Sequence, residues 1–407
     1  MTREATLLAA LAAQVDDEAT WSVYADWLVE QGDPRGELVQ LQRLLRTADV
    51  DDERRPAAEK QVKALLEQHR VAWLAPVQEF LSLGLRFGFD RGVVAEVQGE
   101  PRLLARHAHA LLAAAPLLTR LSAQLEDQVR ELAPLAGTPL LERARFVSVD
   151  SFTASRWKGA EVLAQAEHLE GLRFVSVAIG AGDLEGCFGP GKLTGLTTFE
   201  VSGCRLNRGA LEPLATLDAR LERLELQAAH LGPWLGKTLA RPAFHGLRVL
   251  AAAGNELGRE GLEALLPALR QVESLDLRGN ALTADDLGLL LAPGVLPKVR
   301  VLELGGNALG DDGARALARW PQAAQLTRLH LGDARVTNEG ALALAEAPGL
   351  SGLRSLVLSG PRFSASTDAA LAASAHLARA RIFSGNRVLP REKPAPRKKA
   401  APRAKRR

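Results

Sequence analysis

The chain has 407 residues, 47% hydrophobic and 24% charged, with a formal net charge of +3. That is ample for an extended core, and no apolar run approaches the roughly 18 residues a membrane span requires. Two cysteines, Cys187 and Cys204, exclude a disulfide framework and point to a reducing cytoplasm.

The first hundred residues read as helices. Glu4–Gln14, Glu18–Gln31, Glu37–Thr47 and Pro56–Arg70 show helical spacing, broken at Asp16-Asp17, Gly32-Asp33-Pro34 and Asp49–Asp52. The early acid and amphipathic pattern mark the first segment as a folded helix rather than an export signal. Trp21, Tyr24, Trp27 and Leu28 share one helix face, which periodicity assigns to a bundle core before an aromatic ligand box.

A nine-position phrase, Leu-x-x-Leu-x-Leu-x-x-Asn, then recurs, clearest in Val272–Asn280 and Val299–Asn307. Starts at Leu172, Leu196, Leu221, Leu247, Val272, Val299, Leu326 and Leu353 give periods of 24, 25, 26, 25, 27, 27 and 27. Weaker copies start at Leu118, Ala144 and Leu377. The first half of each unit alternates apolar and polar residues as a strand does. The second half is helical where clearest, in Gly310–Trp320 and Asn338–Ala347. One unit cannot bury both its strand and its helix alone, so units stack. The predicted fold class is α/β: a solenoid with a parallel concave sheet and convex helices, preceded by a small all-α domain. Its ninth slot holds Asn255, Asn280, Asn307 and, once, Cys204, with Ala229, Ala334 and Pro361 as departures. An amide there can satisfy backbone groups where the chain leaves the strand.

Residues 140–385 resemble the ribonuclease-inhibitor-like leucine-rich repeats, and Leu302–Ala318 (LELGGNALGDDGARALA) fits their consensus closely. Val23–Gln42 (VYADWLVEQGDPRGELVQLQ) resembles the companion domain that precedes such repeats in certain bacterial proteins, and Phe87–Val97 resembles their lead-in. These resemblances imply a bacterial, multi-copy family and define architecture far more than activity. The chain divides into a helical companion domain (1–75), lead-in and capping repeats (76–139), the solenoid (140–389) and a basic tail (390–407).

Catalytic and cofactor motifs are missing. Gly186–Thr194 (GCFGPGKLT) has phosphate-loop spacing, but Leu193 stands where magnesium needs a hydroxyl, so a turn-rich insertion is favoured. His107 and His109 are two apart and cannot form a metal pair on a helix. No cofactor, no metal and no enzymatic role are expected.

Binding is expected on the concave sheet. Its fifth-position row reads Ser176, Glu200, Glu225, Ala251, Asp276, Glu303, His330 and Val357, flanked by Arg223, Arg278 and Arg328. Glu200, Glu225, Asp276, Arg278, Glu303, Arg328 and His330 are therefore the candidate partner-binding residues. The four carboxylates favour a protein partner presenting Lys or Arg. From Arg391 onward nine Lys/Arg and one Glu give +8 out of the total of +3, leaving −5 on the rest. Arg397, Lys398, Lys399, Arg403, Lys405, Arg406 and Arg407 carry this charge in a stretch whose Pro and Ala prevent a packed core. The tail suits non-specific contact with nucleic-acid phosphates, an anionic membrane surface, or, extended to about 50 Å, the chain's own concave face. The expected function is a scaffold or regulatory adaptor, with nucleic-acid association through the tail as the alternative.

Overall fold

A computed structural model describes residues 2–390 except 48–51, 53, 127–130, 152–156, 181, 190, 208, 218–219, 360–362 and 386. The basic tail residues and Pro361 lie outside the described residues. Four helices come first: α1 (Arg3–Ala13), α2 (Glu18–Glu30), α3 (Arg35–Thr47) and α4 (Arg55–Trp73). Thr2 caps α1 and Asp17 caps α2, each side chain accepting from a backbone N–H two or three residues on. Trp21, Tyr24 and Leu28 are buried together with Leu11, Val39 and Leu117, and Trp27 packs half-buried beside them.

The strands follow as β1 (Arg86–Asp90), β2 (Val93–Gly99), β3 (Arg120–Leu125), β4 (Phe146–Ser151), β5 (Gly171–Val175), β6 (Ala178–Ile179), β7 (Thr198–Ser202) and β8 (Arg205–Leu206). They continue as β9 (Arg223–Gln227), β10 (Val249–Ala251), β11 (Ser274–Asp276), β12 (Val301–Glu303), β13 (Arg328–His330), β14 (Ser355–Leu358), β15 (Arg381–Ser384) and β16 (Arg387–Val388). Fourteen form one sheet in chain order, and β6 and β8 form a two-stranded side sheet. All pairings in the large sheet are parallel except β1 with β2 and β15 with β16. Connections from β10 onward carry short helices such as Gly258–Leu265 and Gly310–Arg319, while those after β4 and β7 carry 3-10 turns. One hydrophobic core runs from Leu74 to Ile382 between the sheet and these connections. The fold is a leucine-rich-repeat solenoid with a helical region at its N-terminal end.

The sequence motifs before the repeats turn out to be a clasp. Arg35 pairs with Asp33 (2.6 Å) and with Glu4 on α1 (2.9 Å). Burial pushes the Asp33 carboxyl up, but the hydrogen bonds and charge of Arg35 more than reverse this and leave it below its ordinary value. Gly36 lies so close to Val29 that an added Cβ would sit 2.7 Å from its side chain, which sets the α2–α3 crossing. Gln42 on α3 donates to the Phe89 carbonyl (3.1 Å) and accepts from the Gly92 N–H (3.0 Å). Arg70 on α4 donates to the Phe87 carbonyl (2.6 Å). The β1–β2 turn places Arg91 (φ 48°) and Gly92 (φ 74°) in the left-handed region, and Arg91 reaches Glu18 (2.8 Å) and stacks over Trp21 (4.8 Å). The helices thus cover the exposed edge of β1, which would otherwise template further strand pairing.

Within the repeats the ninth slot works as expected. Asn307 is buried and donates to the carbonyls of Leu277 and Leu304 (both 2.9 Å), while its Oδ1 accepts from the N–H groups of Asn280 (2.9 Å) and Leu282 (3.0 Å). Asn280 and Asn255 make equivalent bonds one and two units earlier. Cys204 accepts from the Val177 N–H (3.4 Å), a weaker version of the same contact.

One frame is corrected. Leu172 pairs with Phe199, and Arg173 with Glu200, so that unit starts at Leu169 and its period to Leu196 is 27. Leu172, Val175 and Val177 mimic the spacing of Leu169, Leu172 and Phe174. Burial decides between them, because Phe174 is fully enclosed between Trp157 (5.4 Å) and Phe199 (5.8 Å). Ser176 consequently takes the eighth position, with φ 54°, as do Gly203, Ala228, Gly254, Gly279, Gly306 and Asp333 in their own units. A second slip occurs at the end, where Ile382 pairs with Leu356 two residues out of the frame read from Leu377.

Candidate partner-binding face

The sheet brings the candidate residues into register. Glu200 faces Glu225, Ala251 separates Glu225 from Asp276, and Asp276 is followed by Glu303 and His330 on successive strands. Ser176 leaves the row, and Arg173 occupies its place. The fifth-position row therefore begins with Ser122, Ser148 and Arg173 before reaching Glu200.

The expected acidic stripe is a charge-balanced ladder. Arg173 meets Glu200 (3.7 Å) and Arg223 meets Glu225 (3.0 Å). Arg278 grips Asp276 with two nitrogens (2.9 and 2.6 Å) and also reaches Glu303 (3.1 Å), whose other oxygen meets Arg328 (3.0 Å). The Asp276 and Glu303 side chains are only 12% and 13% exposed, whereas Arg278 is 41% exposed. A partner approaching this half meets guanidinium planes with carboxylates beneath them. Glu200 is held above the ordinary carboxylate range by burial and then by Glu225, with Arg173 and Arg223 opposing.

His330 lies against the seventh-position glycines. An added Cβ on Gly305 would fall 2.6 Å from its ring, and one on Gly332 would fall 2.9 Å from it, so glycine there makes room for the imidazole. Burial lowers its pKa below 6.5; Glu303 and Asp276 act against this, and Arg278 and Arg328 act with it.

The N-terminal half of the face was not singled out from sequence. A depression of about 540 Å³ opens there, lined by residues of β1 to β5 including Arg86, Arg120, Arg173, Phe146 and Asp150. Ser122 and Ser148 donate to the two oxygens of Asp150 (2.5 and 2.6 Å). Extending the frames at Leu118 and Ala144 toward the N-terminus would have placed Arg120, Ser122 and Ser148 on this face.

Other candidates resolve into structure. Lys192 donates back to the Gly186 carbonyl (2.9 Å), Leu193 is buried, and the glycine-rich segment opens no helix. His107 packs edge-on against Phe80 at 5.8 Å. A cavity of about 870 Å³ lies between the α1–α2 turn and the repeats. Its arginines are already committed: Arg143 donates to the carbonyls of Ala12 and Pro116, and Arg145 pairs with Asp16 and Glu170. That cavity is the seam of a joint. Among the described residues there is no group of three or more His, Cys, Asp or Glu placed to hold a metal, and no helix long and apolar enough to cross a membrane.

Residues 295–318 and 325–345, which span the units of β12 and β13, match the Leucine Rich repeat family. Among solved structures the chain is similar to an internalin from Listeria monocytogenes, at 16% identity over 66% of this chain and 74% of that one, with a TM-score of 0.39. No curated protein matches the chain.

Proposed function

We propose that the chain is a non-enzymatic recognition scaffold, a regulatory adaptor that holds a protein partner on the concave face of a ribonuclease-inhibitor-like solenoid. The supporting observation is the register of the sheet: outward third and fifth positions align strand after strand from β2 to β15 into continuous rows, and the seventh positions do so from β3 to β9. Such rows present many side chains on a rigid backbone about 4.8 Å apart, which suits a macromolecular surface better than a small ligand. A cytoplasmic location belongs to this reading and is supported by Cys187 and Cys204, both buried and free.

Site-specific photo-crosslinking tests it. Crosslinkers at Glu225 and Val357 are expected to capture the same protein, and one at Glu263 on a connecting helix to capture none. Capture only from Glu263 would overturn the concave assignment. Capture that needs residues 391–407 and vanishes with nuclease would replace it with nucleic-acid association through the tail.

A further inference from the structure

We propose that the depression at the N-terminal end of the concave face is a pocket for a Glu or Asp side chain of the protein partner, with the Arg120 guanidinium as its anchor. This deepens the proposed scaffold function and rests on it.

The floor is built from small buried hydroxyls. Ser122 (3% exposed) and Ser148 (8%) stand side by side in the fifth-position row. Arg86 precedes them, two strands before Ser122, and Arg173 follows on β5. Small residues between long ones leave a hollow. Arg120 stands at its lower margin with its guanidinium 4.5 Å from the Phe146 ring centre. Phe146 in turn lies over Gly171, where an added Cβ would come within 2.3 Å of the ring. The glycine therefore seats the ring, and the ring fixes the guanidinium plane. A stacked guanidinium keeps its N–H edge free for two parallel bonds to one carboxylate.

The pairing pattern separates this end from the rest of the face. Arg223, Arg278 and Arg328 each have a carboxylate at about 3 Å. Among the described residues neither Arg86 nor Arg120 forms an ion pair, although both are exposed. The remaining valences of Asp150, whose two oxygens already accept from Ser122 and Ser148, can take N–H groups flanking the incoming acid.

A phosphate backbone fits less well. The Phe146 face is covered by Arg120 rather than open to a base, so a nucleic acid gains no stacking there, whereas a single carboxylate needs only the N–H edge of Arg120.

The test titrates the full chain with acetyl-Glu-Glu-Glu-amide and, separately, with its glutamine counterpart. Binding is followed by calorimetry and by the Nε–H resonances of ¹⁵N-labelled arginines. Saturable binding of the acidic peptide alone is expected, with the Arg120 resonance shifting and Arg278 still. Arg120→Gln should weaken it at least about tenfold, and Arg278→Gln should leave it unchanged. Unshifted resonances of the other arginines in R120Q establish that the variant folds. Arg120→Glu should exchange the preference toward acetyl-Lys-Lys-Lys-amide.

Absence of saturable binding at millimolar peptide overturns the pocket, as does equal loss in R278Q. Tighter, Arg120-dependent binding of a thymidine oligonucleotide overturns the choice of a carboxylate. The two readings fail separately. Crosslinks from Glu225 with no peptide binding leave the scaffold and remove the pocket, whereas peptide binding without any crosslinked partner does the reverse.

Discussion

From the unit of β5 to that of β13 the eighth position takes a left-handed backbone, and the chain meets this requirement unevenly. Gly203, Gly254, Gly279 and Gly306 adopt it without steric cost, but Ser176 (φ 54°), Ala228 (φ 51°) and Asp333 (φ 54°) carry a Cβ into the same conformation. A non-glycine residue there costs about 1–2 kcal/mol, against which glycine's greater freedom in the unfolded chain returns part. Ala228→Gly is expected to stabilise the protein by about 0.5–1 kcal/mol in equilibrium urea unfolding. A loss of stability would show that the Ala228 methyl is needed for packing. His330 gives a second prediction at this scale. Its pKa is lowered in the fold, so as pH falls through about 6.5 the unfolded chain takes up the proton first and the native state loses stability. Stability is fully present above that range. Denaturation midpoints measured from pH 7.5 to 5 should fall less steeply for His330→Gln than for the parent, and identical slopes would remove His330 as a cause.

At the scale of elements, the helices and the β1–β2 turn are held by side chains that the sequence displays openly. Arg35, Gln42, Arg70 and Arg91 each donate across a contact between the helical region and the turn or within the helices. Arg35→Met would leave Glu4 and Asp33 facing each other's charge, partly buried, without the guanidinium. The expected loss is on the order of 2–4 kcal/mol. Hydrogen exchange should report it first in α1, because only α1 depends on Arg35 through Glu4. Unchanged exchange in α1 would mean that the hydrophobic contacts of Leu11 and Tyr24 suffice. The motif GDPRGE was legible as a pattern, but its purpose was not. Arg35 of this motif pairs with Glu4 on α1, and Gln42, five residues past the motif, bonds Phe89 and Gly92 about 50 residues away; no local periodicity encodes contacts at such separations.

Across the whole molecule, the stacking order, the sheet and the asparagine slots were legible because leucines at fixed spacing have one economical way to be buried. The candidate binding face was only half legible. Apolar residues at 169, 172, 174, 175 and 177 satisfy two frames, and a three-residue slip exchanges inward for outward side chains. Only enclosure of Phe174 by rings from two other units selects the frame, and with it Arg173 over Ser176. The charge balance was hidden for a related reason. Arg278 and Glu303 belong to different units, so their pairing depends on register and not on proximity in sequence.

The two ends of the long sheet are fastened unequally. β1 is overlaid by α3 and α4 through Gln42 and Arg70, whereas β16 is two residues long and makes two register pairs with β15. Pulled between its termini, the solenoid should therefore behave as a zipper with one sewn end. Extension begins at β16 and advances toward β2, one unit of 25 to 27 residues at a time, each releasing about 90 Å of slack. Force spectroscopy should record a staircase of near-equal steps, with the helical region giving way last. A first rupture of longer contour, containing α1 to α4, would show that the clasp is the weaker fastening.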